Sequence, residues 1–335
     1  MRRWQLAGVG IEALRLNDAP VPTPGHGEVL VRVKAAAINA RDLGILAGHY
    51  PNKPGVVPFS DGAGIIEAVG PGVSGFAAGD AVMGCFYPFW ESGPADENNR
   101  VSLGCNLDGM LAEYALVPAS GLVLKPATLD FTEAATLPCA ALTAWTALYT
   151  EGGLRPGQTV LVQGTGGVAI FALQLAKLSH ARVILLSGSD AKLERARALG
   201  ADVGINYRET PEWSAAVLDA TGGKGADIVV EVGGQDTLAQ SLNSVRVGGR
   251  ISVVGVLSGL VAPVPVPPIL FRHVTLSGIT VGHRADFRAL AAAVDAAGLK
   301  PVIDRRFTFE DAVSAFAELP TGKHFGKLVV DVYRS

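Results

Sequence analysis

Six residues near the middle of the chain, Gly164-Thr165-Gly166-Gly167-Val168-Ala169, have the spacing G-x-G-x-x-A. They follow an apolar stretch at 159–163 that reads as a strand and open an apolar run at 168–179 that reads as a helix. In that setting each small residue has its own task. Gly164 permits a tight turn, Gly166 lets the backbone approach a pyrophosphate, and Ala169 packs the helix on the strand. The N–H groups of Gly164, Thr165, Gly166, Gly167 and Val168, with the helix dipole behind them, then attract the anion. Outside a strand–turn–helix setting the same pattern is only a glycine-rich turn.

The end of the next strand discriminates between dinucleotides. An acidic residue there accepts a hydrogen bond from a ribose 2'-hydroxyl, whereas hydroxyls and a cation receive a 2'-phosphate. The strand at 182–186 ends in Ser187-Gly188-Ser189, with no carboxylate at the tip and Lys192 close behind. Asp190 reads as the cap of the following helix. This pattern predicts NADP as the cofactor. The competing reading is a neutral structural turn with Lys192 as a solvated surface charge.

Further strands are predicted at 228–232, 249–254 and 274–281, with helices at 191–199, 212–220 and 237–245. Such alternation forms parallel βαβ units with helices on both faces of the sheet. The chain ahead of them is different. A strand at 29–36 is followed by a loop or helix start at Asn39-Ala40-Arg41-Asp42, an irregular Pro- and Gly-rich stretch at 50–58, and short strands at 64–69 and 81–83. Short strands with Gly/Pro turns predict a compact, barrel-like β domain. The expected fold class is therefore α/β, a doubly wound parallel sheet plus a β-barrel-type domain. A helix near 309–319 and a strand at 327–333 are expected to return to the first domain. The expected boundaries are 1–125, completed by 283–335, and 126–282.

Composition narrows the function classes. A chain of 335 residues with 49% hydrophobic content suits two domains and excludes a disordered chain. A net charge of -3 leaves no basic surplus, which argues against nucleic acid or an anionic membrane as the main partner. The three cysteines, Cys85, Cys105 and Cys139, form no disulfide framework and suit a reducing, cytoplasmic compartment. The uncharged run 251–271 is long enough to cross a bilayer, but Pro263, Pro265, Pro267 and Pro268 break it. Residues 1–6 lack the apolar stretch of a signal peptide. A small molecule is the expected partner.

Several dispersed stretches match one family in order: 27–33, 67–73, 76–82, 134–138, 142–144, the Gly164 loop, Leu199-Gly200-Ala201-Asp202 and Ile205-Asn206-Tyr207-Arg208. Over its whole length the chain resembles the medium-chain dehydrogenase/reductase superfamily, and within it the zinc-independent quinone oxidoreductase-like members. The resemblance implies a GroES-like catalytic domain followed by a Rossmann domain. It implies that Ser187, Lys192 and Tyr207 form an adenosine 2'-phosphate site. It also implies that Asn39 and Thr143 face the nicotinamide, and that Gly233 and Gly255-Val256-Leu257 pass along the cofactor. Each has an ordinary alternative: a turn glycine, a capping Thr, a core Tyr with a bonded hydroxyl. Members of this family often pair Rossmann sheets edge to edge, so a homodimer through the strand at 274–281 is expected.

The resemblance also shows what is missing. Zinc members need a Cys, a His-Glu pair and a second Cys, a donor set suited to tetrahedral zinc. Here Asn39 stands at the first Cys, and Ser60-Asp61 stands at His-Glu. No metal site is expected. Without a Lewis acid, hydride transfer needs an acceptor that spreads its own charge, such as a quinone or an α,β-unsaturated carbonyl, helped by a hydrogen-bond donor. Tyr50 is the candidate donor by family position, and a half-buried loop aromatic is its other reading. Asn39 is a second candidate donor, and Asp42 a candidate for positioning neighbours or relaying a proton. Phe86-Tyr87-Pro88-Phe89-Trp90 reads equally as a substrate wall or as an ordered loop. Cys139 reads as a core residue. The expected function is an NADPH-dependent quinone or enone reductase. The alternatives are an alcohol or aldehyde dehydrogenase and a non-catalytic NADPH-binding sensor or structural protein.

Overall fold

The computed structural model describes residues 1–333. The chain divides into two compact units, residues 143–281, and residues 1–142 together with the chain from 282 onward.

In the unit of residues 143–281, six strands lie in the order Val203–Asn206, Arg182–Ser187, Thr159–Gln163, Ala226–Glu231, Val245–Val253 and Thr275–Gly278. All neighbouring pairs are parallel. Counted along this unit, the order is 3-2-1-4-5-6, the doubly wound arrangement. Its central strands are almost continuously apolar because both faces are covered, and Val160, Leu161, Val162, Val183, Ile184 and Leu185 are buried. The helix Asp190–Ala198 turns Leu193 and Ala196 inward at helical spacing. Chain direction across the sheet reverses between Thr159–Gln163 and Ala226–Glu231, which opens a crevice at their carboxyl ends.

Two expectations change here. The edge strand is shorter than 274–281, covering Thr275–Gly278. The uncharged run at 251–271 divides into the end of a strand and the short helix Val266–Phe271, which has Pro in its first turn. Among the described residues no helix is long and apolar enough to cross a membrane.

The other unit is built on the strand Glu28–Ala37, in which Val29, Val31 and Val33 are buried. Its antiparallel neighbours are Asp61–Val69, Tyr114–Pro118 and Lys327–Asp331. Ala81–Gly84 and Leu122–Leu124 extend the sheet at one end, and Ile303–Thr308 extends it at the other. Lys327–Asp331 pairs in the register Val329↔Ala37 and Val330↔Ala36. The hydrogen bond from Ile38 N to Leu328 O then brings Lys327 level with the end of the central strand.

The division falls after Leu142, not after residue 125. Polar contacts explain why the chain from 126 onward stays with the first unit. Asp295 accepts from Thr128 N and Oγ1, Lys300 reaches Glu133, and Thr132 Oγ1 donates to Asp331.

Candidate functional site

The phosphate loop has the conformation its glycines require. Gly164 takes φ +79°, a left-handed region costly to side chains, and a Cβ there would meet nothing within 4 Å. Gly166 is the N-cap of the helix Gly167–Leu178, in an extended conformation and with no side-chain cap. The first N–H groups of that helix therefore have no intrahelical acceptor and no capping side chain. Thr165 is buried, Val168 is partly buried, and Ala169 is buried against the sheet. This open cradle fits a dinucleotide pyrophosphate.

A buried carboxylate that the sequence reading missed stands beside the loop, at the switch point. Glu231 ends its strand with 0% exposure. One oxygen accepts from Gly233 N at 2.8 Å, Gly234 N at 3.0 Å and Thr237 Oγ1 at 2.5 Å. The other accepts from Gln163 Nε2 at 2.7 Å and from Ser241 Oγ. Glu231 therefore shapes the turn that contains Gly233. The second turn is tied to the first, since Leu257 N donates to Val232 O and Ser258 N to Gly233 O. Gly255 must be bare, because a Cβ would lie 2.6 Å from Val232 O. Val256 and Leu257 are exposed. Thr143 is buried at the start of this unit.

Ser187, Gly188 and Tyr207 come together at the tips of adjacent strands, where Tyr207 N donates to Ser187 O at 3.1 Å. A Cβ on Gly188 would lie 2.8 Å from both Tyr207 Oη and Arg208 Nε. Arg208 is thus a cation at this corner that the sequence reading did not single out, although it directly follows Tyr207. Ser189 is the N-cap of the helix Asp190–Ala198, and Lys192 lies in its first turn. The capping role expected of Asp190 is corrected. It is the first helical residue, and its carboxylate accepts from Asn206 Nδ2 at 2.9 Å.

The candidate catalytic residues lie in the other unit. Asn39 caps the helix Ala40–Leu46 and is 8% exposed. Its Oδ1 accepts from Lys327 Nζ at 2.6 Å, and Lys327 Nζ also donates to Ile38 O at 2.7 Å. Asp61 is buried, with Oδ1 accepting from Ser60 Oγ and Oδ2 from Cys139 N. Burial pushes the Asp61 carboxyl above its usual range, opposed first by the Lys327 charge and then by its hydrogen-bond donors. Asp42 accepts from Asn39 N at 2.8 Å through Oδ2, while its buried Oδ1 has no hydrogen-bond partner among the described residues. Asp42 lines an apolar cavity with Leu6, Leu14, Ile45, Leu46 and Phe316, and burial lifts it to about 6.

Tyr50 is 47% exposed, and its ring rests on Gly44, where a Cβ would lie 2.6 Å from Cε2. The aromatic segment is ordered. Arg41 stacks 4.2 Å over Phe86 and donates to Ser102 Oγ, and Trp90 meets His283 edge-on. Cys139 is partly buried rather than a core residue, and burial of its thiol, then the nearby Asp61 carboxylate, push that thiol far up, which disfavours the thiolate.

The donor set does not fit a zinc ion. Among the described residues no three His, Cys, Asp or Glu side chains lie together as metal ligands. Asn39 Oδ1 is taken by an amine, and both Asp61 oxygens have donors.

Comparisons with known proteins agree with this geometry at the level of family. A family profile described as "Zinc-binding dehydrogenase" matches residues 167–296, and one described as "Alcohol dehydrogenase GroES-like domain" matches residues 25–127. A zinc-type alcohol dehydrogenase-like protein of Schizosaccharomyces pombe is 42% identical over 334 residues, covering 96% of each chain. A quinone oxidoreductase of Rattus norvegicus is 30% identical over 333 residues, covering 96% of this chain and 94% of the relative. The crystal structure of a candidate alcohol dehydrogenase from Sinorhizobium meliloti 1021 superposes with a TM-score of 0.93 at 44% identity, covering 99% of this chain and 98% of that one.

Proposed function

The chain belongs to the medium-chain dehydrogenase/reductase superfamily and is a nucleotide-binding oxidoreductase of that family, and from that premise we propose that it is an NADPH-dependent reductase of quinones or α,β-unsaturated carbonyls, working without a metal. The observation that carries this reading is the grouping of Asn39, Asp61 and Lys327, in which Asn39 Oδ1 is taken by Lys327 Nζ and the two Asp61 oxygens by Ser60 Oγ and Cys139 N. Metal-assisted alcohol oxidation needs a Lewis acid to stabilise an alkoxide, and this donor set does not fit one. A quinone or enone delocalises its own developing negative charge, so a hydrogen-bond donor suffices.

When bound, the reduced nicotinamide would supply a hydride, that is, two electrons and one proton. Asn39 Nδ2 and the Tyr50 hydroxyl are the candidate donors to the acceptor oxygen, with Thr143 the residue expected to face the nicotinamide. Asp42 acts as a positioning residue, holding the backbone N–H of Asn39. Water supplies the proton that completes the reduced product. Ser187, Lys192, Tyr207 and Arg208 support selection of the 2'-phosphate, since cations and hydroxyls favour it and the Asp190 carboxylate is occupied by Asn206. Gly233 and Gly255-Val256-Leu257 shape the rest of the cofactor crevice.

The alcohol dehydrogenase reading has its own support in the names of the relatives. NADPH oxidation with a panel of quinones and enones, with and without a chelator, separates the two. Rapid, chelator-resistant reduction supports the proposal, and chelator-sensitive turnover of a saturated alcohol overturns it. We further propose that the protein is a homodimer. The strand Thr275–Gly278 is an open sheet edge, and Leu257, Leu260, Val261 and Phe271 in the segment leading to it are exposed.

A further inference from the structure

We infer that Lys327 is a positioning residue for the reaction, clamping the Asn39 carboxamide in one orientation from the far end of the chain. This rests on the proposed function in that Asn39 is taken as a donor to the hydride acceptor.

Lysine is among the residues least often fully buried, yet Lys327 is 3% exposed. Its chain neighbours Phe325, Leu328, Val329 and Val330 are buried and apolar, so nothing in local packing calls for a cation there. What it meets is specific. Nζ donates to Ile38 O and Asn39 Oδ1 at 2.7 and 2.6 Å, and its charge is the strongest influence lowering the Asp61 carboxyl against burial. The Asn39 amide also helps to lower Asp61. The carboxamide therefore has a cation at its oxygen and a carboxylate in the field of its other end. A half-turn of the amide would set NH2 against the amine and oxygen against the carboxylate, reversing both interactions.

A second observation points to a ligand. Asn39 Nδ2 carries two N–H donors and is buried; it faces the Asp61 carboxylate, yet among the described residues neither N–H makes a hydrogen bond of normal geometry. A buried donor left without a bond is costly to keep in a folded protein. A purely structural network has no need of that spare donor. A site that must offer an N–H to an incoming oxygen does. The backbone N–H of Asn39 is already spent on Asp42, so the side chain is the group left to act, and Lys327 decides which way it faces.

The test is a double-mutant cycle in the full-length protein. Lys327→Met and Lys327→Gln are made alone and with Asn39→Ala, and kcat is measured with NADPH and the acceptor that the wild type reduces fastest. Misdirecting one donor is expected to lower kcat about 10–100-fold for Lys327→Met and about 3–10-fold for Lys327→Gln, whose amide still reaches toward Asn39. With Asn39 already Ala, each loss is expected to shrink below about twofold. Cofactor dissociation constants should stay within about threefold throughout. Equal losses in both backgrounds, or no loss from a folded variant, overturn the inference. If Lys327→Met does not fold, Lys327→Gln decides by the same criterion. If the wild type oxidises an alcohol and ignores quinones and enones, the proposed function fails, and the same cycle run on that alcohol still decides the role of Lys327.

Discussion

Lys327 Nζ lies 2.6 Å from Asn39 Oδ1 although 288 residues separate the two in sequence. The strand register makes the contact. Pairing Val329 with Ala37 and Val330 with Ala36 carries the C-terminal strand back onto the strand that leads to Asn39. Asn39→Ala would leave the buried amine with Ile38 O as its one remaining acceptor among those described. Urea unfolding should show a loss of about 1–3 kcal/mol. An unchanged midpoint would mean that the contact is not formed in solution.

Asp42 makes stability depend on pH with a definite sign. Burial raises its carboxyl from the ordinary 3.8 to about 6, opposed by Arg41 and by the N–H of Asn39. The folded protein thus holds this proton more tightly than the unfolded chain does. The stabilisation is fully present below about pH 4 and is lost as pH rises through about 6. Asp42→Asn mimics the protonated form. It should be more stable than wild type at pH 7–8 by on the order of 2–3 kcal/mol, and equal to it near pH 4. Thermal melts across that range check the crossing, and a constant difference at every pH would refute it.

The parts of the site that follow from local spacing were readable in the sequence. Gly164 has a left-handed backbone that favours glycine, Gly166 leaves room for a pyrophosphate to approach, and their strand and helix lay within a few residues. Ser187 stood out locally as the end of the next strand, whereas Tyr207 entered only through the family resemblance; the fold sets the two at the tips of adjacent strands. Lys327 was not readable, because its meaning depends on sheet register between chain ends. The available signal was a lysine inside the apolar run 325–330. Glu231 was missed because its donors come from Gln163, Ser241 and a turn, and only the fold gathers them. Asp190 was misread because an acid one residue past the N-cap serves the dipole as well as a cap does, and only the coordinates show it held by Asn206. The domain boundary moved because the tie of Thr128 to Asp295 has no local signature.

The corner at Gly188 predicts cofactor choice. Lys192→Ala should weaken NADPH binding about 10–100-fold while changing NADH binding much less, as expected for loss of a charge-assisted phosphate contact. Gly188→Ala should act the same way by another route, since its Cβ would displace Tyr207 Oη and Arg208 Nε. Titration of both cofactors by fluorescence distinguishes these outcomes. Equal losses for NADPH and NADH would overturn the 2'-phosphate assignment.

Tyr50 and Gly44 form a second testable pair. Glycine inside a helix is less favourable than alanine by about 1 kcal/mol, so Gly44→Ala should leave the melting temperature unchanged or raised. The same change removes the bare surface on which the Tyr50 ring rests. If the Tyr50 hydroxyl serves the acceptor, Gly44→Ala and Tyr50→Phe should each lower kcat about tenfold with little effect on cofactor affinity. A Tyr50→Phe variant with wild-type kcat would reduce Tyr50 to a loop aromatic.

The open edge at Thr275–Gly278 predicts assembly. An unpaired strand preceded by exposed Leu260 and Phe271 is a surface that a folded chain usually covers. Light scattering after size-exclusion chromatography should give twice the chain mass. Leu260→Asp with Phe271→Asp should shift it to the single-chain mass, because each buries an unpaired carboxylate in the contact. The fold of the unit should survive, since both side chains are exposed within one chain. Retained NADPH binding by the single-chain species would show that the phosphate loop works without the partner. A wild-type protein that runs at single-chain mass at all concentrations would remove the dimer proposal.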